Sequence, residues 1–298
     1  MKLVTFELRG EEGVGCLAGG VIDLSRAYSS FCRARRMKES VATRSCFGDM
    51  IKFLGDEGAA AVVEEVVDFV FSDPRLLRRF SLDPEEVRLR APLPRPPKAM
   101  ICGPSWGSYV KEGRVPEFIF VLKPPTAIVG PGDDIVIPRK ARQVATEVEL
   151  ALVVGRPGRY IAQEEAMEHV AGYTVFNDVT DIATYRERTP ASAIRAKSYD
   201  TFASIGPCVT LRDQVEDVQD ILLRLRVNGV ERVRVSTTEM IYPISHFVSA
   251  VSEVMTLQTG DVISTGCPEA VPVEPGDVVE AEVDGIGVLR NRFVEERL

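Results

Sequence analysis

Histidine, tryptophan and carboxamide side chains are scarce in this 298-residue chain, which holds two His, one Trp, three Asn (Asn177, Asn228, Asn291) and five Gln. Neither His169 nor His246 stands near a cysteine, and the six cysteines (Cys16, Cys32, Cys46, Cys102, Cys208, Cys267) form no C-x-x-C pair. That disfavours zinc and thioredoxin chemistry and leaves buried free thiols as the expectation. Long apolar runs are missing too: the longest, Ala59 to Phe71, is broken by Glu64, Glu65 and Asp68, well short of the roughly 20 apolar residues of a membrane-spanning helix. The N-terminus alternates like a strand and lacks the apolar core and small-residue site of a signal peptide, so the chain reads as cytoplasmic, with no membrane partner. Positive charge is not in excess: 36 Lys+Arg face 44 Asp+Glu, a net charge of −8. Residues 1–95 are balanced, so the surplus acid lies in residues 96–298, which argues against a nucleic-acid partner. Few amides, with 28 of the 36 basic residues Arg, fit a heat-adapted source, in which an intracellular disulfide would be less surprising; high-GC codon usage explains the arginine equally well.

What is present is an ordinary globular composition, 45 % hydrophobic and 27 % charged, with length for one large domain or two smaller ones. Lys2–Leu8, a turn at Gly10–Gly13 and Val21–Leu24 read as a hairpin. In Ala59–Phe71 a helical stripe of Val62, Val63, Val66, Val67 and Val70 suits packing against it. Four prolines between Pro92 and Pro97 interrupt both helix and strand and mark the expected boundary between a small domain, residues 1–92, and a second, residues 98–298. Beyond it, short strands alternate with Gly/Pro turns. The phrases Pro131-Gly132-Asp133, Thr259-Gly260-Asp261 and Pro275-Gly276-Asp277 each lead into β-branched residues, as turns entering strands do. Helices are expected only at about Gln163–Val170 and Ile244–Met255. The fold class is therefore α+β, mainly β.

The chemistry concentrates in Thr146-Glu147-Val148-Glu149-Leu150-Ala151-Leu152-Val153-Val154. A run so apolar reads as a buried strand, whose alternation sends Glu147 and Glu149 to one side. Buried carboxylates need a cation, a basic partner or water; a bare pair of this kind also fits a solvated strand face. A third acid, Asp178, ends another strand-like run, Ala171–Val179, and a polar phrase, Arg195–Phe202, follows. Three oxygen ligands without His or Cys suit a hard cation such as Mg²⁺ or Mn²⁺.

These phrases resemble the fumarylacetoacetate hydrolase (FAH) family. Leu122–Asp133, Glu147–Leu150, Val170–Val179, Lys197-Ser198-Tyr199-Asp200-Thr201, Thr265-Gly266-Cys267-Pro268 and Gly285–Asn291 occur in the family's order across roughly residues 98–295. The resemblance implies a mixed β-roll catalytic domain with a smaller N-terminal α/β domain, a homodimer, and Mg²⁺ or Mn²⁺ held by residues matching Glu147, Glu149 and Asp178. It also implies a small-molecule 2-oxo acid, or its enol, as substrate. Lys197 matches the lysine that reaches the substrate's oxyanion, and Thr265 the threonine near its carboxylate. Hydrolytic members carry a His-x-x-Glu pair that activates water; aligned on Gly103–Glu112, it places Tyr109 at the histidine and Glu112 at the glutamate. A phenol of ordinary pKa about 10 is a poor base at neutral pH. Ile182 and Tyr185 replace an arginine and a glutamine that hold substrate in many members, and Cys267 and Glu269 replace small or hydroxyl residues.

The expectation is a metal-dependent enzyme with Lys197, Glu112 and Thr265 catalytic and Tyr109, Tyr185, Lys197 and Thr265 against the substrate. An isomerase, tautomerase or decarboxylase, such as a 2-hydroxyhepta-2,4-diene-1,7-dioate isomerase, needs no activated water and is favoured. An acylpyruvate or fumarylacetoacetate type C–C hydrolase using Glu112 is the alternative, and a catalytically silent metal-binding paralogue is the third reading.

Overall fold

A computed structural model describes residues 1–83 and 85–297. Two sheets organise them. The larger, twelve-stranded sheet runs in the order Val21–Asp23, Glu11–Leu17, Lys2–Leu8, Ala203–Leu211, Val170–Asp181, Val144–Val154, Val262–Ser264, Ala99–Gly103 and Ile119–Lys123, with three short strands off this path. The smaller sheet has five strands, Val230–Ser236, Leu222–Val227, Val278–Val283, Gly287–Glu295 and Asp134–Ile137. No helix among the described residues is long and apolar enough to cross a membrane.

The central strand Val144–Val154 shows how period-2 alternation builds both layers. Val148, Leu150, Leu152 and Val154 share a core with Leu223, Leu225, Val279, Ala281, Leu289 and Phe293 of the smaller sheet and with Phe247 and Val248. Ala151 and Val153 point the other way, into a core with Phe31, Phe53, Val63, Val66 and Val70 of the N-terminal helices. Glu147 and Glu149 lie on that second face, four and two residues before Ala151.

The helices follow local signals. Glu57–Phe71 is capped by Asp56, whose side chain accepts from the Ala59 N–H, and of the expected valine stripe it buries Val63, Val66 and Val70, with Val62 and Val67 half-buried. Ile244–Val254 buries Ile244, Phe247, Val248 and Val251, also as expected. Gln163–Val170 differs: only Ala166–His169 coils, as a 3₁₀ turn. The N-terminal hairpin is tighter than expected, with Lys2–Leu8 pairing Glu11–Leu17 directly.

A structurally separate 1–92 domain is not what the chain builds. Lys2 and Leu3 pair with Thr210 and Val209, so the N-terminal strands extend the larger sheet, and one core holds residues from both sides of the proline segment. Pro92 and Leu93 are buried, and the Thr5 hydroxyl donates to the Pro92 carbonyl at 2.7 Å. The prolines turn a chain fixed inside the structure rather than linking two bodies.

Candidate active site

Asp178 lies opposite Glu147 on the neighbouring strand, and alternation puts it on the same face as Phe176, Ala151 and Val153. Oxygens of Glu147, Glu149 and Asp178 all fall within 4.8 Å of one another. Three carboxylates this close, Glu149 and Asp178 buried and Glu147 half-buried, repel, and desolvation raises the cost further. Two lysines answer it. Lys197 donates from Nζ to Asp178 Oδ2 and, at 2.9 Å, to the Thr180 hydroxyl, and it lies 3.8 Å from Glu147 Oε1. It ends the helix Pro190–Lys197, whose first turn is fixed by reciprocal bonds between Thr189 and Ser192. Lys123, fully buried, places Nζ 2.6 Å from Asp178 Oδ1 and donates to the carbonyls of Val179 at 3.0 Å and Phe202 at 2.7 Å.

The protonation preferences follow from this arrangement. Burial pushes Asp178 up, but Lys123 and Lys197 outweigh it and hold the carboxyl below its ordinary range. Desolvation works against the Lys197 charge, yet Asp178, Glu147 and Glu149 keep its pKa above the usual lysine value. Lys123 is pushed down to about 8, burial outweighing Asp178. Burial, then the charges of Asp178 and Glu147, drive Glu149 well above the usual carboxylate range.

Glu149 provides the test of whether a cation fits. Its Oε2 accepts from the Ser264 hydroxyl and, at 3.1 Å, from the Gly266 N–H, while the buried Oε1 has no hydrogen-bond partner. A buried carboxylate oxygen without a donor, within reach of two more carboxylates, is what a hard divalent cation satisfies. The donor set is oxygen alone, so the residues fit Mg²⁺ or Mn²⁺.

Glu147, Glu149 and Lys197 line a cavity of about 240 Å³ with Tyr109, Tyr185 and Cys267. The Tyr109 hydroxyl donates to the Cys267 carbonyl at 2.8 Å; burial and the Glu147 charge hold this phenol protonated, its pKa well above 10. The Tyr185 ring lies 5.4 Å from Lys197 Nζ. A larger cavity, about 680 Å³, opens between the N-terminal helices and the far end of the sheet, away from these acids.

Two expected site residues are placed elsewhere. Glu112 sits in the exposed turn Lys111–Arg114 with φ of 51° and does not line the cavity. Thr265 is fully buried and its hydroxyl donates to the Leu150 carbonyl at 2.9 Å, while its own carbonyl accepts from Ser105; its neighbours Gly266 and Cys267 line the cavity instead. Neither histidine enters the cavity: His169 bonds the Arg156 carbonyl at 2.9 Å, and His246 stacks on Tyr242. Lys123 and Ser264 are contacts that sequence reasoning missed. For Lys123 the signal was available, a lone charge closing the apolar strand Ile119–Lys123.

A family model described as fumarylacetoacetate (FAA) hydrolase C-terminal matches residues 106–294. Oxaloacetate tautomerase FAHD2A, mitochondrial, of Bos taurus is 36 % identical over 220 residues, 70 % of either chain. Among solved structures, 5-carboxymethyl-2-hydroxymuconate delta-isomerase from Mycobacterium smegmatis is similar at 29 % identity and a TM-score of 0.73, over 99 % of this chain and 100 % of that one. Maleylpyruvate hydrolase from Sphingobium sp. SYK-6, solved with manganese(II) and pyruvate, is similar at 26 % identity and a TM-score of 0.76, over 100 % of both chains.

Proposed function

The chain belongs to the fumarylacetoacetate hydrolase family, and within that family we propose that it is a divalent-metal-dependent tautomerase or isomerase interconverting a 2-oxo acid and its enol. The observation that carries this reading is the make-up of the cavity, which joins carboxylates and a lysine but no imidazole, with Glu112 outside it. Hydrolysis needs a group that takes a proton from water at neutral pH. Tautomerisation consumes no water: the enol gives up a proton from oxygen and its carbon takes one up, so it needs a proton carrier beside the substrate but no base acting on water.

When bound, Mg²⁺ or Mn²⁺ would polarise the 2-oxo group as a Lewis acid, and Glu147, Glu149 and Asp178 are the residues that would hold it. Lys197 supplies the second positive charge for the oxyanion that develops on the substrate. Asp178 and Thr180 fix its Nζ beforehand, so little reorganisation accompanies the reaction. Tyr109 keeps its proton and is tied to the Cys267 carbonyl on the cavity wall.

The test is ultraviolet absorbance of enol phenylpyruvate and of 2-hydroxypenta-2,4-dienoate after chelation, then with Mg²⁺ or Mn²⁺ restored. Metal-dependent loss or shift of the enol band, without new fragments, is expected. Fast cleavage of an acylpyruvate to pyruvate would make the protein a hydrolase; carbon dioxide as the main product would make it a decarboxylase; metal binding with no turnover would make it a silent paralogue.

We also propose that the protein is a homodimer and works in a reducing compartment such as the cytoplasm. The strand Ile119–Lys123 ends the larger sheet and exposes Ile119 and Leu122, an apolar edge that calls for cover. All six cysteines are buried and unpaired. Light scattering should give about twice the 32.8 kDa chain mass; a monomer would refute the dimer.

A further inference from the structure

Resting on the tautomerase or isomerase reading, we propose that the substrate is a 2-oxo monocarboxylate with an apolar chain beyond C3, and that the site rejects dicarboxylates. Once the substrate's carboxylate and 2-oxygen engage the acid and lysine cluster, the remaining wall of the cavity is mainly apolar, with Ile101, Ile119, Val121, Pro104 and the rings of Tyr109 and Tyr185. Among the described residues no arginine lines it, and Lys197 is its only cation, already committed to Asp178, Thr180 and Glu147.

The polar side chains on that wall offer a second carboxylate no charge: the Ser105 hydroxyl donates to the Thr265 carbonyl, and the Tyr185 hydroxyl is a neutral phenol. The Tyr109 hydroxyl donates to the Cys267 carbonyl, and the Cys267 thiol points to the Glu269 carbonyl at 3.2 Å. Lys111 and Arg114 follow Tyr109 in sequence, but they sit in an exposed turn outside the cavity. A terminal carboxylate would thus lose part of its water against aliphatic and aromatic carbon with no counter-charge, beside two glutamates. An alkyl, alkenyl or aryl terminus would gain from the same wall. The cavity, about 240 Å³, suits a short chain.

Matched pairs test this. Turnover of 2-hydroxypenta-2,4-dienoate should exceed that of 2-hydroxymuconate in kcat/KM by about tenfold or more, the discrimination expected where a charge is left unpaired. Calorimetric binding should favour 2-oxohexanoate over 2-oxoadipate to the same extent, with the same metal present. Tyr185→Arg, which puts a guanidinium on the half-exposed wall, should narrow both ratios. Equal or better kcat/KM and affinity for the dicarboxylates would overturn the proposal while leaving the tautomerase reading intact. So would dicarboxylate turnover abolished selectively by Lys111→Ala or Arg114→Ala, because the turn would then supply the missing cation. Failure of both dienoates to react with metal present would overturn the tautomerase reading and this inference with it.

Discussion

At the scale of single residues, the site is an electrostatic balance in which each charge has a different exchange value. Lys197 and Glu147 lie 3.8 Å apart on the cavity wall, where the proposed reaction would use both, whereas the Tyr109 hydroxyl is engaged by the Cys267 carbonyl. Lys197→Ala and Glu147→Ala should each lower kcat by about 10³-fold or more, the scale of losing fixed charge stabilisation. Tyr109→Phe should cost less than about tenfold; a loss as large as that of Lys197→Ala would make the phenol an acid or base in the reaction. Lys123 was harder to read from the sequence because its role depends on burial. A lone charge closing an apolar strand marks Lys123 as unusual, but it does not say that the lysine meets Asp178 and two carbonyls, of Val179 and Phe202, that lie 56 and 79 residues on.

At the scale of elements, alternation along a strand is the reason the three acids were legible. An apolar run fixes which residues face one way, so Glu147 and Glu149 had to share a side, and Asp178 in register with Glu147 completes the set. What alternation cannot convey is where a hydroxyl turns after a strand ends, which is why Thr265 bonds Leu150 rather than entering the cavity. The next residue shows the same tight geometry. Gly266 has φ of +78°, and a Cβ there would sit 2.5 Å from the Cys102 carbonyl oxygen. Gly266→Ala should destabilise the fold by about 1–3 kcal/mol from backbone strain alone and weaken metal affinity, since its N–H orients Glu149; unchanged calorimetric metal binding would contradict this. Asp181 offers a test in pH. Its burial raises the pKa, but the Thr184 hydroxyl at 2.6 Å and the N–H of Gln143 bring it below the ordinary value of 3.8. A lowered carboxyl stabilises the fold above its unfolded pKa and loses that contribution as pH falls through the folded one. Asp181→Asn should therefore be less stable than the parent near neutrality, with the gap closing below about pH 4; a gap that widens on acidification would reverse the assignment.

At the scale of the molecule, the sheet joins what the proline segment seemed to divide. Proline density reports a turn in the chain, and it says nothing about which strand the preceding segment pairs with. The pairing that decides the matter is two residues long, Lys2 with Thr210 and Leu3 with Val209, and it bridges most of the sequence. Removing residues 1–92 would strip the roof from Ala151, Val153, Phe176, Ala203, Ile205 and Val209. Each large buried side chain contributes about 1.5–3 kcal/mol, against a total stability of about 5–15 kcal/mol for a typical domain. The fragment 98–298 should therefore not fold alone, and the intact chain should unfold in a single calorimetric transition with its carboxylate site lost in the same step. Two resolved transitions, or a soluble 98–298 fragment that binds Mn²⁺ as the whole chain does, would show that the N-terminal strands are an attachment rather than part of one cooperative sheet. The buried Pro92 and Leu93 sharpen the distinction: a protease should cut the Lys111–Arg114 turn, which is exposed, before it cuts between the prolines.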